Sequence, residues 1–200
     1  MISEKESYEE IVTGGIYNET TITDQIHTKW AGKTVHFARE TDSTNLWGKR
    51  AWREEGAGHG ELFVAEYQSA GRGRFTRRWS APPDSAITMS ILICPEFSPQ
   101  KAPMLTLVMG LSVAQAVAEL GLEVGIKWPN DVVVSRKKIC GILTEMTMKQ
   151  DKIGCAVIGV GINVNMESFP EEMADKATSL YLESGHPFDR AQVVGLVMKH

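Results

Sequence analysis

Hydrophobic positions recur at two different spacings along this chain, and each change of spacing marks an element. Ile87, Met89, Ile91 and Ile93 alternate with Thr88 and Ser90, the period-two pattern of a half-buried strand. Residues 61–68, with Leu62, Phe63, Val64 and Tyr67, also read as a strand. Met104, Leu107, Val108, Leu111, Ala114 and Ala118 follow helical spacing and predict a helix that Gly121 ends. Beyond it, residues 124–128 with 132–134, then 139–148, then 154–165, predict further strands. Polar turns at 135–138 and 149–152 join them. Thr41, Asp42 and Ser43 offer N-caps for a helix that reaches about Glu55 and stops at Gly56. Residues 69–84, rich in Gly, Arg and Pro, are a loop, and 191–199 start a last helix. Residues 1–30 are weakly patterned and predict a short helix and an extended arm, with no helix-turn-helix. The sum is an α/β (α+β) fold: a mixed, largely antiparallel sheet flanked by helices, not the regular alternation of a doubly wound dinucleotide fold.

Composition narrows the class. Two hundred residues, 42% apolar and 23% charged, suit one soluble domain with a full core. The apolar stretches read as shorter than the roughly 18–20 residues of a membrane span, and residues 1–10 are polar, so a cytoplasmic protein without a membrane partner is expected. Cys94, Cys140 and Cys155 are odd in number and sit in apolar runs, as reduced core thiols do. Net charge is −4, whereas proteins that hold long polyanions usually carry a basic excess. The basic residues cluster instead at Arg72, Arg74, Arg77 and Arg78 and at Arg136, Lys137 and Lys138, which suits a small anionic ligand.

Five segments carry candidate chemistry. In Gly71-Arg72-Gly73-Arg74-Phe75-Thr76-Arg77-Arg78-Trp79, glycines permit close backbone approach, arginine forks clamp phosphate or carboxylate, and Trp79 could lie against a purine. The same loop could be a solvated basic loop or an RNA contact. Lys127-Trp128-Pro129-Asn130-Asp131 gathers a cation, an amide and a carboxylate; Asp131 could hold Mg²⁺ or simply cap a turn. Lys137 and Lys138 precede a strand interrupted by Gly141; one of them could point inward and neutralise charge, or both could decorate a hairpin tip. Gly159 and Gly161 leave room for a ligand on the sheet, but Val164 stands where a dinucleotide fingerprint needs glycine. There is no P-loop, and the histidines lack metal-ligand spacing. Asp42-Ser43-Thr44-Asn45 exceeds what one N-cap needs, and the surplus could bind a neutral polar head group.

Together these motifs, in this order and with Ala177-Thr178-Ser179-Leu180, resemble the biotin–protein ligase family from about Val35 onward. The resemblance implies a fold related to class II aminoacyl-tRNA synthetases. It also implies a two-step reaction: biotin and ATP give biotinyl-5'-AMP, and a lysine of a biotin carboxyl carrier domain of a biotin-dependent carboxylase then takes the biotin. By position it places Ser43, Thr44, Asn45, Gln68, Gly71, Arg72, Gly73, Arg74, Lys138, Gly141 and Leu143 around biotin. Arg74, Arg77, Trp79, Lys127, Asn130, Asp131 and Asn163 fall at the nucleotide, with Asp131 at Mg²⁺. Lys138, Arg74 and Asp131 take the catalytic positions, Arg74 as the residue that retains the intermediate. A homodimer is admitted. Residues 1–34 read as an arm without the DNA-binding module of some members, so no DNA binding is expected, and 35–200 read as the catalytic domain without the family's small C-terminal β domain. Thr76 stands where the family has glycine; threonine resists φ > 0, so closure of this loop is expected to suffer if the turn is left-handed. A lipoate or octanoate ligase of the same fold is the nearest rival, and a nucleic-acid module using the arginine loop a remote one.

Overall fold

The structure, a computed structural model, describes residues 16–200. The part of the N-terminal arm formed by residues 1–15 lies outside the described residues. In chain order the elements are α1 (Glu19–Gln25), β1 (Val35–Thr41), α2 (Thr44–Arg50, continued by a π-helical turn Ala51–Glu55), β2 (Leu62–Gln68), β3 (Ala86–Ile93), α3 (Pro103–Glu119), β4 (Val124–Lys127), β5 (Asp131–Val134), β6 (Lys137–Lys149), β7 (Lys152–Asn163), α4 (Leu180–Ser184) and α5 (Arg190–Lys199). The strands form one seven-stranded sheet in the order β1-β2-β3-β7-β6-β5-β4. Only β1 and β2 run parallel; every other pair is antiparallel. The expected mixed, largely antiparallel sheet with flanking helices is what forms.

Helices cover both faces, and two core clusters show it. Leu62, Val64, Ile91 and Ile158 pack with α3 and α5 residues, whereas Phe63, Leu92 and Val157 pack with Ala51, Trp47 and Trp52 of the α2 segment. Leu62 and Phe63 are neighbours on one strand, so these clusters lie on opposite faces. That explains the first departure from the sequence reading. Strand β3 is not half-buried: Thr88 and Ser90 are buried too, because α2 covers the face they point to. The run from 124 to 134 is two strands rather than a single one, folded back through the turn at 128–130 so that Lys127 pairs with Asp131.

A second departure concerns α3. The face read as its core side, Met104, Leu107, Val108 and Leu111, is exposed. Met109, Val113, Ala116 and Val117 are buried instead, because small residues let the helix lie close to the sheet. A helix apolar all round gives periodicity no face to choose. The segment Pro99–Glu119 is moreover long and apolar enough to cross a membrane by length and composition, contrary to the sequence expectation, but it packs on the sheet as a core helix.

The third departure is at the start of α2. Ser43 makes no side-chain cap. Gln68, at the end of β2, reaches over and accepts from the Thr44 amide at 2.8 Å, while Asp42 Oδ1 accepts from the Ser43 amide at 2.7 Å. The helix end is satisfied from a distant strand, which welds the 42–45 motif to the loop that follows Gln68. Cys140 and Cys155 are buried and Cys94 half-buried, all as free thiols. Burial pushes the Cys140 thiol far above its ordinary range, as an inert core group requires.

Candidate active site

A cleft of about 1510 Å³ opens on the α2 face of the sheet. Ligand pockets for one small molecule usually span roughly 300–1,000 Å³, so this cleft has room for two joined substrates. All the site residues expected from the sequence line it except Gly71. Gly71 is buried beneath the loop, where a Cβ would come within 2.3 Å of the Trp79 carbonyl oxygen.

The cleft floor follows from strand register. Gly141 pairs with Gly161 and Leu143 with Gly159, giving a floor across β6 and β7 on which, of these four, Leu143 alone raises a side chain. The room above it is already taken. A Cβ on Gly161 would fall 2.3 Å from Cε2 of Trp79, and one on Gly159 would fall 2.2 Å from Oδ1 of Asn45. The ligand space therefore lies one layer further out than the glycines alone suggested, on the Trp79 ring and beside Asn45. The indole Nε1 of Trp79 is buried without a partner among the described residues.

The arginine loop is a miniature hairpin. Arg72 and Arg78 form an antiparallel bridge, and the Gly73 amide donates to the Arg77 carbonyl at 2.8 Å. At its tip Phe75 and Thr76 both have positive φ, 53° and 64°, and the Arg77 amide donates to the Arg74 carbonyl at 3.2 Å. This is a type I′ turn, for which Asn-Gly is the favoured pair. The suspected left-handed position at Thr76 is real, and a β-branched residue occupies it. Arg74 reaches across the cleft and donates to Asn130 Oδ1 at 2.7 Å, while Arg72 pairs with Glu145 at 3.2 Å.

Opposite the loop, Asp131 opens β5 and Lys138 enters β6, so that Lys138 Nζ lies 2.8 Å from Asp131 Oδ1. The Ala177-Thr178 segment holds Lys138 in place: the Lys138 amide donates to the Lys176 carbonyl at 2.8 Å, and the Thr178 amide to the Lys138 carbonyl at 3.0 Å. Lys138 is thus the inward lysine; Lys137 turns away to the Ala174 carbonyl. Asn163, buried, donates to the Thr178 carbonyl at 3.0 Å and secures the same segment. The acid available to a divalent cation here is Asp131, and among the described residues no three His, Cys, Asp or Glu side chains gather as a metal site. Mg²⁺ fits only with substrate phosphates completing its shell.

The cleft wall carries the four arginines of 72–78 with Lys127, Arg136, Lys138 and Lys176, against one carboxylate, Asp131. On a chain of net charge −4 this is a strongly focused positive field. Arg136 belongs to the basic cluster expected to suit an anionic ligand, whereas Lys176 escaped the sequence reading as a ligand-facing cation. So did Glu145, Lys49 and Ser90, which stand behind the cleft. Glu145 accepts from Asn45 Nδ2 at 2.9 Å and from Lys49 Nζ at 3.0 Å. Burial opposes its charge, but those hydrogen bonds and the nearby Lys49 and Arg72 outweigh it and hold the carboxyl below its ordinary range.

Known proteins share this fold. The Biotin/lipoate A/B protein ligase family matches residues 37–163. The bifunctional ligase/repressor BirA of Bacillus spizizenii is 45% identical over 141 residues, 69% of this chain and 43% of its own length. The biotin--[acetyl-CoA-carboxylase] ligase of Mycobacterium tuberculosis is 36% identical over 170 residues, 82% of this chain and 61% of its own. The chain thus spans about half the length of such relatives. Among solved structures, biotin protein ligase from Aquifex aeolicus in complex with biotin and ATP superposes with a TM-score of 0.70 at 38% identity, covering 84% of this chain and 68% of that one. Matched by the family model over residues 37–163 and by relatives over most of its length, the chain belongs to the biotin/lipoate A/B protein ligase family.

Proposed function

We propose that the chain activates biotin with ATP to biotinyl-5'-AMP and passes the biotin to a lysine of a biotin carboxyl carrier domain. The observation that carries this reading is the cleft's pairing of a polar end (buried Ser43 and Thr44 with half-buried Gln68) with a cationic end around Lys138 and Arg74, joined by the Trp79-covered glycine floor. The relatives named for biotin and the complex with biotin and ATP support it. In the first step the biotin carboxylate attacks the α-phosphorus and pyrophosphate leaves. Lys138 lies where it can neutralise the charge gathering between carboxylate and phosphate, exchanging its contact with Asp131 for the substrate. Arg74, held over the cleft by Asn130, would shield the mixed anhydride from water. In the second step a neutral acceptor amine attacks the acyl carbon and AMP departs; Asp131, released from Lys138, is the carboxylate placed to take the ammonium proton.

Asp131 would hold Mg²⁺ together with the ATP phosphates, and the ion would supply further charge neutralisation there. The free thiols fit a reducing compartment, and we assign the reaction to the cytoplasm. The test is biotin-dependent exchange of labelled pyrophosphate into ATP, which needs no acceptor. Exchange with biotin and not with lipoate is expected; exchange with lipoate alone would transfer the assignment to the lipoate branch.

A further inference from the structure

Lys138 follows a turn that its own residues do not favour. Strand β5 passes to β6 through Ser135 and Arg136 alone, and Val134 pairs with Lys137 across the join. Both turn residues have positive φ, 50° and 66°. Such a turn suits Asn-Gly, and the left-handed region resists a serine or an arginine side chain. The hold on it comes from outside the hairpin. Lys138 faces Val133 of β5 on one side. On the other side β7 has already ended at Asn163, and the chain returns at 176–178 to form a parallel bridge between Ala177 and Lys138.

Glu183, on α4, joins the two. Its Oε2 accepts from Ser135 Oγ at 2.7 Å, and its Oε1 accepts from Thr178 Oγ1 at 2.7 Å. Thr178 is buried, so its hydroxyl needs a partner inside the protein. Helix α4 is itself anchored: the Tyr181 amide donates to the Val164 carbonyl at 2.8 Å, and Ser179 Oγ donates to the Met166 carbonyl at 2.6 Å. One carboxylate on an anchored helix thus spans the turn before Lys138 and the segment beside it. Glu183, Ser135 and Thr178 do not line the cleft, whereas Arg136 and Lys138, which they bracket, do.

We propose that Glu183 is a positioning residue for Lys138: its carboxylate clamps the β5–β6 turn to the 176–178 segment and so sets where the Lys138 ammonium stands in the cleft. The consequence for the reaction rests on the biotin reading above and deepens it. With the clamp in place the ammonium is kept 2.8 Å from Asp131 until substrate takes over that contact. Without it the turn is free to leave the left-handed conformation. The pairing of β5 with β6 is already irregular between Val132 and Val133, next to Lys138, and offers a place to slip. A displacement of about 1 Å at such a group can cost up to about 100-fold in rate, because the charge is no longer aimed where it is needed.

Two measurements on Glu183→Ala test this. The first is kcat for biotin-dependent pyrophosphate exchange, expected to fall by about 10-fold. In a Lys138→Met background the same substitution should cost less than about twofold, since it acts through that lysine. An equal loss in both backgrounds would mark general damage and overturn the proposal. Glu183→Gln can accept from one hydroxyl and donate to the other, and should keep at least about half of the wild-type kcat. A loss as large as that of alanine would overturn the clamp. The second measurement needs no activity: competitive acetylation of the folded protein, read by mass spectrometry. Relative to exposed Lys33, Lys138 should react about 2–5-fold faster in Glu183→Ala than in wild type, as its pairing with Asp131 loosens. Unchanged labelling would overturn the clamp. Wild type that exchanges no pyrophosphate with biotin, while Lys138 labelling still responds to Glu183→Ala, would sink the biotin reading and leave the positioning role standing. Thr178→Val removes one limb of the clamp and serves in both measurements if Glu183→Ala does not fold.

Discussion

Replacing Thr76 with glycine should tighten the arginine loop. In the structure Thr76 sits at φ 64° beside Phe75 at φ 53°, at the tip of the turn closed by the Arg77 amide on the Arg74 carbonyl. For an L-residue the left-handed region costs roughly 1–2 kcal/mol, and more for a β-branched one. Glycine removes that cost but loses more freedom on ordering, roughly 0.5–1 kcal/mol. The difference favours the closed turn by about 0.5–1 kcal/mol, a shift of roughly 2–5-fold in the closed-to-open ratio. Four arginines lie in this segment, so trypsin reads the opening directly. When reclosing outruns cleavage, the rate follows the open population. Thr76→Gly should thus be cut about 2–5-fold more slowly within residues 72–78, after normalising to the same peptide free in solution. Release of adenylate to solution should fall in step. Equal or faster cleavage would show that the turn stores no strain at Thr76, and that the native sequence closes it as well as glycine does.

Other outcomes are equally definite. Lys138→Met leaves Asp131 without its 2.8 Å partner and should lower biotin-dependent pyrophosphate exchange by about 100-fold or more, with folding retained by thermal melt. Arg74→Gly removes the contact to Asn130 and should label bystander lysines with escaped biotinyl-adenylate; unchanged labelling would remove its retaining role. Gly161→Val places a methyl-bearing carbon where a Cβ already falls 2.3 Å from Trp79, so the indole should leave the sheet and its emission shift to the red. Comparison with a Trp79→Phe background isolates that signal. The depressed Glu145 carboxyl should contribute stability above the ordinary carboxylate range near pH 4.3, lost as pH falls through its lower folded value. The melting-temperature gap between wild type and Glu145→Gln should therefore be widest near neutrality and close in acid.

What could be read from the sequence was whatever local chemistry encodes. The 72–78 loop, the turn at Thr76, the inward lysine next to Gly141 and the strand pattern after Gly121 all rest on neighbours along the chain. The rest depended on partners far away. Glu145 looks like one polar residue on a strand edge until Asn45, 100 residues earlier, meets it. Ser90 reads as the solvent side of an alternating strand because nothing local announces that α2 will cover it. The α3 face went astray for the opposite reason: too many positions were apolar, and the small side chains of Ala116 and Val117 won the closer approach to the sheet. Trp79 over Gly161 was beyond reach because the two glycines advertise space without naming its tenant.

The seam between β3 and β7 has a kinetic meaning. Strands β4 to β7 follow one another along the chain and pair with their sequence neighbours, so this meander can close early through short loops. Ser90 belongs to β3 and Asn45 to α2, on the other side of that seam, and Gly159 and Glu145 lie within the meander. The polar pocket is thus assembled only by the long-range step that docks the two halves. Substitutions at Glu145 or Ser90 should speed unfolding while leaving the folding rate of the meander nearly untouched, and a bound head group should act as a clasp across the last-formed join.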